Sequence, residues 1–254
     1  MSIKSERQDQ ILDIIKQNSR MTLAEISENF GVSEITIRRD VKMLEDLGIV
    51  RRAHGGVVYY AEPETEAPVV RRQLINSSAK QQIAKQAAAL INDGDSIFLG
   101  SGSTASYVAQ YLKGHDRLTI TTNAVTVIQE LASVTSINLI VLGGLLRPSE
   151  LSMIGHITEQ ALREVRVDKV FVGMRGIDMV AGLTSDYLPE VMTDRAIMDM
   201  SAKVIILADS TKLGQIASGY VAPIERMTTL ITDSKADSDM IAQIRAKGIE
   251  VILA

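Results

Sequence analysis

Between residues 96 and 253, short apolar runs alternate with segments of helical length, and this alternation limits the fold more than any other feature. The runs cover residues 96–99, 118–121, 138–142, 169–172, 204–208, 229–232 and 250–253. Helix-like segments at 79–91, 124–132, 157–165, 189–200 and 237–247 lie between most of them. Strand–helix alternation predicts an α/β domain built on a mostly parallel sheet flanked by helices.

Residues 5–47 follow a different period. Ile11, Leu12, Ile14 and Ile15 form one apolar stripe at helical spacing. Thr22 with Glu25 reads as a capping box opening a second helix, which Gly31 ends. Ser33 caps a third helix, whose inward face is Ile37, Val41, Leu44 and Leu47, with Gly48 as its stop. Two β-prone runs, 49–52 and 57–60, flank Ala53-His54-Gly55-Gly56, a hairpin turn signal. Three helices and a hairpin predict a small winged helix-turn-helix. Residues 61–68 hold two of the five prolines and three glutamates, the composition of an extended linker. The expected division is a DNA-binding domain at 3–58, a linker at 61–68 and an effector-sensing α/β domain at 75–252.

Composition excludes several classes. With no cysteine, disulfides and thiolate metal sites are impossible. The three histidines, His54, His115 and His156, are too scattered to suggest a metal site, so neither metal nor cofactor is expected. No apolar run approaches the roughly 20 residues that span a bilayer, and the first ten residues do not resemble a secretory signal. A cytoplasmic protein without membrane partners is therefore expected. The net charge of −4 offers no general attraction to nucleic acid, and residues 1–60 are neutral. Basic groups that meet DNA must therefore be clustered.

The third helix is where they would cluster. Its outward positions include Ser33, Glu34, Thr36, Arg38, Arg39 and Lys42, suited to base edges and phosphates of the major groove. Arg51, Arg52 and His54 on the hairpin would touch backbone or minor groove, and Thr22 joins the candidate contacts. Asp40, Glu45 and Asp46 stand in the same stretch and would dilute this positive patch.

In an open α/β sheet, ligands sit beyond the carboxyl ends of the strands. Those ends carry Gly100-Ser101-Gly102-Ser103-Thr104, Thr122-Asn123, Gly143-Gly144, Gly173, and Asp209 with Lys212. A glycine–serine loop running into a helix favours an anion. The candidate effector site is thus Ser101, Gly102, Ser103, Thr104, Thr122, Asn123, Gly143, Gly144, Asp209 and Lys212, with Arg147 and Arg175 as rival cations.

The run Ser33-Glu34-Ile35-Thr36-Ile37-Arg38-Arg39-Asp40, with Arg52-Ala53-His54-Gly55-Gly56, closely resembles the signature of DeoR-family bacterial regulators. The strand-end motifs, with Gly176-Ile177-Asp178 and Gly182, resemble that family's sensor domain, related to ribose-5-phosphate isomerases. The resemblance implies a repressor of a carbohydrate-use operon that binds double-stranded operator DNA as a homo-oligomer, dimer or tetramer, and senses a small phosphorylated sugar. It departs at Gly100, where most members carry aspartate, so the contacts to sugar hydroxyls differ. The alternative is a sugar-phosphate isomerase with a DNA-binding appendage. The isomerases carry their base in a Lys-Gly-Gly-Gly run followed by Glu. Gly143-Gly144 here lacks that lysine, Glu150 is out of register, and Asp178 and Asp209 have no obvious proton-transfer role. No catalytic residue is expected.

Overall fold

The computed structural model describes residues 3–53, 55–60 and 67–254, in two compact units divided between Ser77 and Ser78. The first unit holds α1 (Ile3–Asn18), β1 (Arg20–Met21), α2 (Leu23–Phe30), α3 (Glu34–Asp46), β2 (Val50–Ala53), β3 (Gly56–Tyr59) and α4 (Val69–Gln73). Ile11, Leu12 and Ile15 of α1 pack with Ile26 of α2 and with Ile37, Val41 and Leu44 of α3. Thr22 and Glu25 form the reciprocal capping box, and Gly31 closes α2 in the left-handed conformation, φ 61°. The β2–β3 hairpin recruits the two-residue β1, giving the order β1-β3-β2. This unit runs past the hairpin because Leu74, after α4, packs on the same core. Buried Arg71 also donates to the Tyr60 carbonyl at 3.5 Å. Most of the expected linker, 61–66, and the expected contact His54 lie outside the described residues.

The second unit is a three-layer sandwich. Its elements begin with α5 (Ser77–Ala89), β4 (Ser96–Leu99), α6 (Ser103–Tyr111), β5 (Leu118–Thr122), α7 (Val125–Leu131) and β6 (Ile137–Val141). A hairpin, β7 (Leu145–Arg147) and β8 (Ser152–Ile154), leads to α8 (His156–Arg163) and β9 (Lys169–Val172). Then come β10 (Gly176–Asp178), β11 (Gly182–Ser185), α9 (Val191–Met198), β12 (Val204–Leu207) and β13 (Gly219–Ala222). The chain continues through β14 (Thr229–Thr232), α10 (Ser238–Ala246) and β15 (Glu250–Leu253). Seven strands pair in parallel in the order β15-β14-β12-β9-β4-β5-β6.

Adjacent residues of each central strand bury opposite faces. Ile97 and Leu99 pack with α5, α6 and α7, whereas Phe98 packs with residues of α8, α9 and α10. Covering both faces favours mostly apolar residues in these strands. Every one of the seven runs read from sequence is a strand of this sheet. Five further strands are antiparallel and escaped the sequence pattern: the β7–β8 pair and the sheet β10-β11-β13. They are three or four residues long and carry glycine or polar residues in place of an apolar run. Among the described residues, no helix is long and apolar enough to cross a membrane.

Candidate DNA-reading surface and effector site

Helix α3 has two chemically different faces. Ile37, Val41 and Leu44 are buried, and so is Asp40, at 1 % exposure. Asp40 accepts from Arg7 Nε at 2.7 Å and from Gln8 Nε2 at 3.2 Å, so its charge faces α1. It does not dilute the outward patch. The opposite face exposes Glu34, Ile35, Arg38, Arg39, Lys42 and Met43, one stripe at spacings of three and four. Ser33 caps the helix by accepting from the Thr36 amide, and the two hydroxyls lie 3.0 Å apart.

Other candidate contacts are partly committed within the unit. Thr22 is held in its capping box, donating from its amide to Glu25 at 2.7 Å. Those donations hold the Glu25 carboxyl below its ordinary pKa. On the hairpin, exposed Arg51 lies over the Tyr60 ring at 4.6 Å, and Arg52 pairs with Glu45 at 3.3 Å. Sequence reasoning missed two groups here. Arg20 lies across the hairpin so closely that a Cβ at Gly56 would sit 2.7 Å from its Nε. Ile35 is 65 % exposed in the first turn of α3. The sequence signal for Ile35 was its place off the Ile37–Val41–Leu44 face.

In the second unit, parallel register carries the ends of β12, β9, β4, β5 and β6 to one rim. Ser101, Gly102, Ser103 and Thr104 follow β4, beside Thr122-Asn123 after β5. Asp209 and Lys212 follow β12, two strands from β4, or about 10 Å across the sheet. Gly102, φ 115°, opens α6 without a side-chain cap, so the first helix amides face the loop unbonded by the helix itself. Ser103 and Thr104 are buried in that turn.

Several of these groups have visible structural duties. The Thr122 hydroxyl donates to the Leu99 carbonyl at 2.7 Å, tying β5 to β4. Asp209 accepts from the Thr211 amide at 3.1 Å and caps the turn Ser210–Lys212. Gly144 allows close packing, since a Cβ there would lie 2.8 Å from the Ile154 carbonyl, and Thr158 donates to the Gly143 carbonyl at 2.8 Å. Asn123 is 1 % exposed and donates to the Met153 carbonyl at 2.9 Å. Its amide oxygen is buried without a hydrogen-bond partner among the described residues. Asp178 accepts from the amides of Val180 and Ala181, which hold its carboxyl below the ordinary pKa.

A buried polar cluster adjoins this rim and was not legible in the sequence as a group. Glu150 approaches the loop, 3.7 Å from where a Gly102 Cβ would lie. Arg147 pairs with Glu190, and its guanidinium lies 4.2 Å from the Tyr187 ring centre. Ser152 donates to Glu190 at 3.0 Å. Burial pushes the Asp194 carboxyl up to about 7, against the pull of Arg147 and with the repulsion of Glu150. Arg175, the other rival cation, pairs with Asp186.

Comparison with known proteins agrees with this two-part arrangement. Residues 7–62 match the DeoR-like helix-turn-helix domain, and residues 75–234 match the DeoR C terminal sensor domain. A putative aga operon transcriptional repressor of Escherichia coli O157:H7 is 30 % identical, covering 98 % of this chain and 93 % of that protein. The glycerol-3-phosphate regulon repressor of Escherichia coli K12 is 30 % identical over 91 % of each chain. An uncharacterized HTH-type transcriptional regulator of Bacillus subtilis is 32 % identical, covering 97 % of this chain and 95 % of its own. Among solved structures, the ribose 5-phosphate isomerase of Plasmodium falciparum overlaps 54 % of this chain and 52 % of its own. Its identity is 18 % and its TM-score 0.40, a level that carries no functional argument. The chain belongs to the DeoR family of DNA-binding transcriptional regulators, with a helix-turn-helix domain followed by a DeoR-type sensor domain.

Proposed function

We propose that this protein represses a carbohydrate-use operon by binding double-stranded operator DNA, and that a small phosphorylated sugar modulates the binding. The observation that carries the reading is the divided α3. Its apolar face and Asp40 are buried, and Arg38, Arg39 and Lys42 are presented together on the other face. In this reading the α3 stripe enters the major groove, and Arg51, Arg52 and His54 meet the backbone or minor groove. Ser33 and Thr36, with hydroxyls 3.0 Å apart, stand at the helix start, where such hydroxyls suit a phosphate contact. The names of the two Escherichia coli relatives support repression and carbohydrate-related operons.

The effector site is the rim at Ser101–Thr104, with Asn123 and Lys212. Phosphate would lie against the α6 amides, where the helix dipole favours an anion. Lys212 stands two strands away and supplies the partner charge. The buried Arg147–Glu190 pair orders the neighbouring wall, which makes Arg147 a positioning residue in this reading. We assign no catalysis to the unit. Asp178 and Asp209 are engaged in turns of their own chain, and a proton-transfer base requires a carboxylate open to substrate.

The active form is a homo-oligomer, since a neutral module gains phosphate contacts by pairing. One experiment tests the whole reading. Full-length protein is used to select duplexes from a randomised pool, and sugar phosphates are then titrated onto the complex. Selection of a two-fold symmetric site, and a response to a phosphorylated sugar absent with its unphosphorylated parent, are expected. Failure to enrich any sequence would overturn it.

A further inference from the structure

Resting on the reading of α3 as the DNA-reading helix, we infer that Ile35 reads a thymine methyl group in each half-site. Ile35 is 65 % exposed, whereas Ile37 two residues on is fully buried. Its neighbours along the stripe are exposed Glu34, Arg38, Arg39 and Lys42. Helical spacing of three and four places Arg38 and Arg39 one turn beyond it on the same face. A large aliphatic group is thus held in the first turn among charged side chains, outside the core built by Ile26, Ile37, Val41 and Leu44.

The chemistry of that position selects its target. Isoleucine carries no donor or acceptor, so it cannot read the polar pattern of a base edge. Within the major groove the one apolar mark on a natural base pair is the C5 methyl of thymine. The flanking hydroxyls of Ser33 and Thr36 face each other at 3.0 Å and serve the helix start. The arginines suit guanine or phosphate. Ile35 therefore supplies the discrimination for T·A that the polar residues of this turn lack.

The test uses the full chain and a duplex selected from a randomised pool. Each thymine is replaced singly by deoxyuridine, which removes the methyl and leaves every hydrogen-bonding group. Wild type should lose about four-fold in affinity at one position per half-site, the worth of about one buried carbon. Ile35→Ala should bind the parent duplex correspondingly less tightly and be indifferent to uracil at that position, with Ile35→Val intermediate. A melting curve checks that the variant is folded, which its exposure favours. Equal sensitivity of wild type and Ile35→Ala to every uracil, or insensitivity of both, overturns the assignment. If Arg38→Ala and Arg39→Ala weaken binding while no such coupling appears, the Ile35 inference alone fails. If binding is undiminished after loss of both arginines, the reading of α3 fails with it.

Discussion

Asp40 on α3 accepts from Arg7 on α1 at 2.7 Å, across 33 residues of sequence. The pair joins the outer helix to the buried side of the proposed reading helix, and Gln8 adds a second donor at 3.2 Å. Asp40→Ala leaves both donors without their acceptor. It should cost roughly 1–3 kcal/mol of stability, the range for orphaning buried polar groups. DNA affinity should fall with stability, although a negative charge has been removed. Tighter binding by a fully stable Asp40→Ala protein would show that Asp40 acts as charge and not as anchor.

Arg38 and Arg39 should behave differently. Both are exposed, so alanine at either should leave thermal stability within about 0.5 kcal/mol. Loss of a base-reading arginine should cost roughly 1–3 kcal/mol of operator binding, and loss of a phosphate contact should flatten the salt dependence instead. Anisotropy titrations at several salt concentrations separate the two roles. Undiminished binding with both arginines replaced removes α3 from the interface.

The proposed effector site predicts a dependence on phosphate. Lys212→Ala should weaken a sugar phosphate while leaving operator binding by the ligand-free protein intact, because it lies outside the DNA-binding unit. Calorimetry with a sugar and its phosphate is the measurement. Equal affinity for the two, or an unchanged response of Lys212→Ala, sinks the site.

Gly100 offers a test of packing. A Cβ there would sit 2.8 Å from Val172 Cγ1. Gly100→Ala should destabilise the second unit by about 1 kcal/mol or more through overpacking. Val172→Ala in the same chain should return much of that loss, since the obstacle is one side-chain methyl. Gly144→Ala has no comparable rescue. Its Cβ would overlap the Thr158 hydroxyl and also lie 2.8 Å from the Ile154 carbonyl, which is backbone. Denaturation of the three single variants and the Gly100/Val172 double variant decides between these expectations.

Asp194 gives the second unit a pH signature. Its carboxyl is raised to about 7, chiefly by burial. An acid whose folded pKa exceeds its unfolded value of about 3.9 binds more protons folded than unfolded between those values. Its contribution therefore makes stability fall as pH rises from about 4 to about 7 and stay level above. Asp194→Asn removes this fall, so the variant should gain thermal midpoint relative to wild type as pH increases from 5 to 8. A difference between the two proteins that does not change with pH would falsify the assignment.

The sequence by itself determined every element that repeats or begins with a chemical signal. The capping box at Thr22, the serine cap at Ser33 and the glycine stop at Gly31 are local, because each bond spans five residues or fewer. The central parallel strands were legible because burial on both faces favours a mostly apolar run, and the half-exposed edge strands β6 and β15 still carry Ile, Leu and Val in succession. Tertiary structure decided what depends on partners far along the chain. Asp40 is indistinguishable from Glu45 or Asp46 until α1 brings Arg7 to it. Arg147, Glu190 and Asp194 come together only when the short antiparallel strands fold over the rim, with Arg147 and Glu190 43 residues apart. Short strands without an apolar run, such as Gly176–Asp178 and Gly182–Ser185, give no pattern to read, and an ion pair leaves no trace in the spacing of its members. Local bonding and continuous burial are encoded in neighbouring residues, while the fate of a buried charge is settled only by what the fold packs against it.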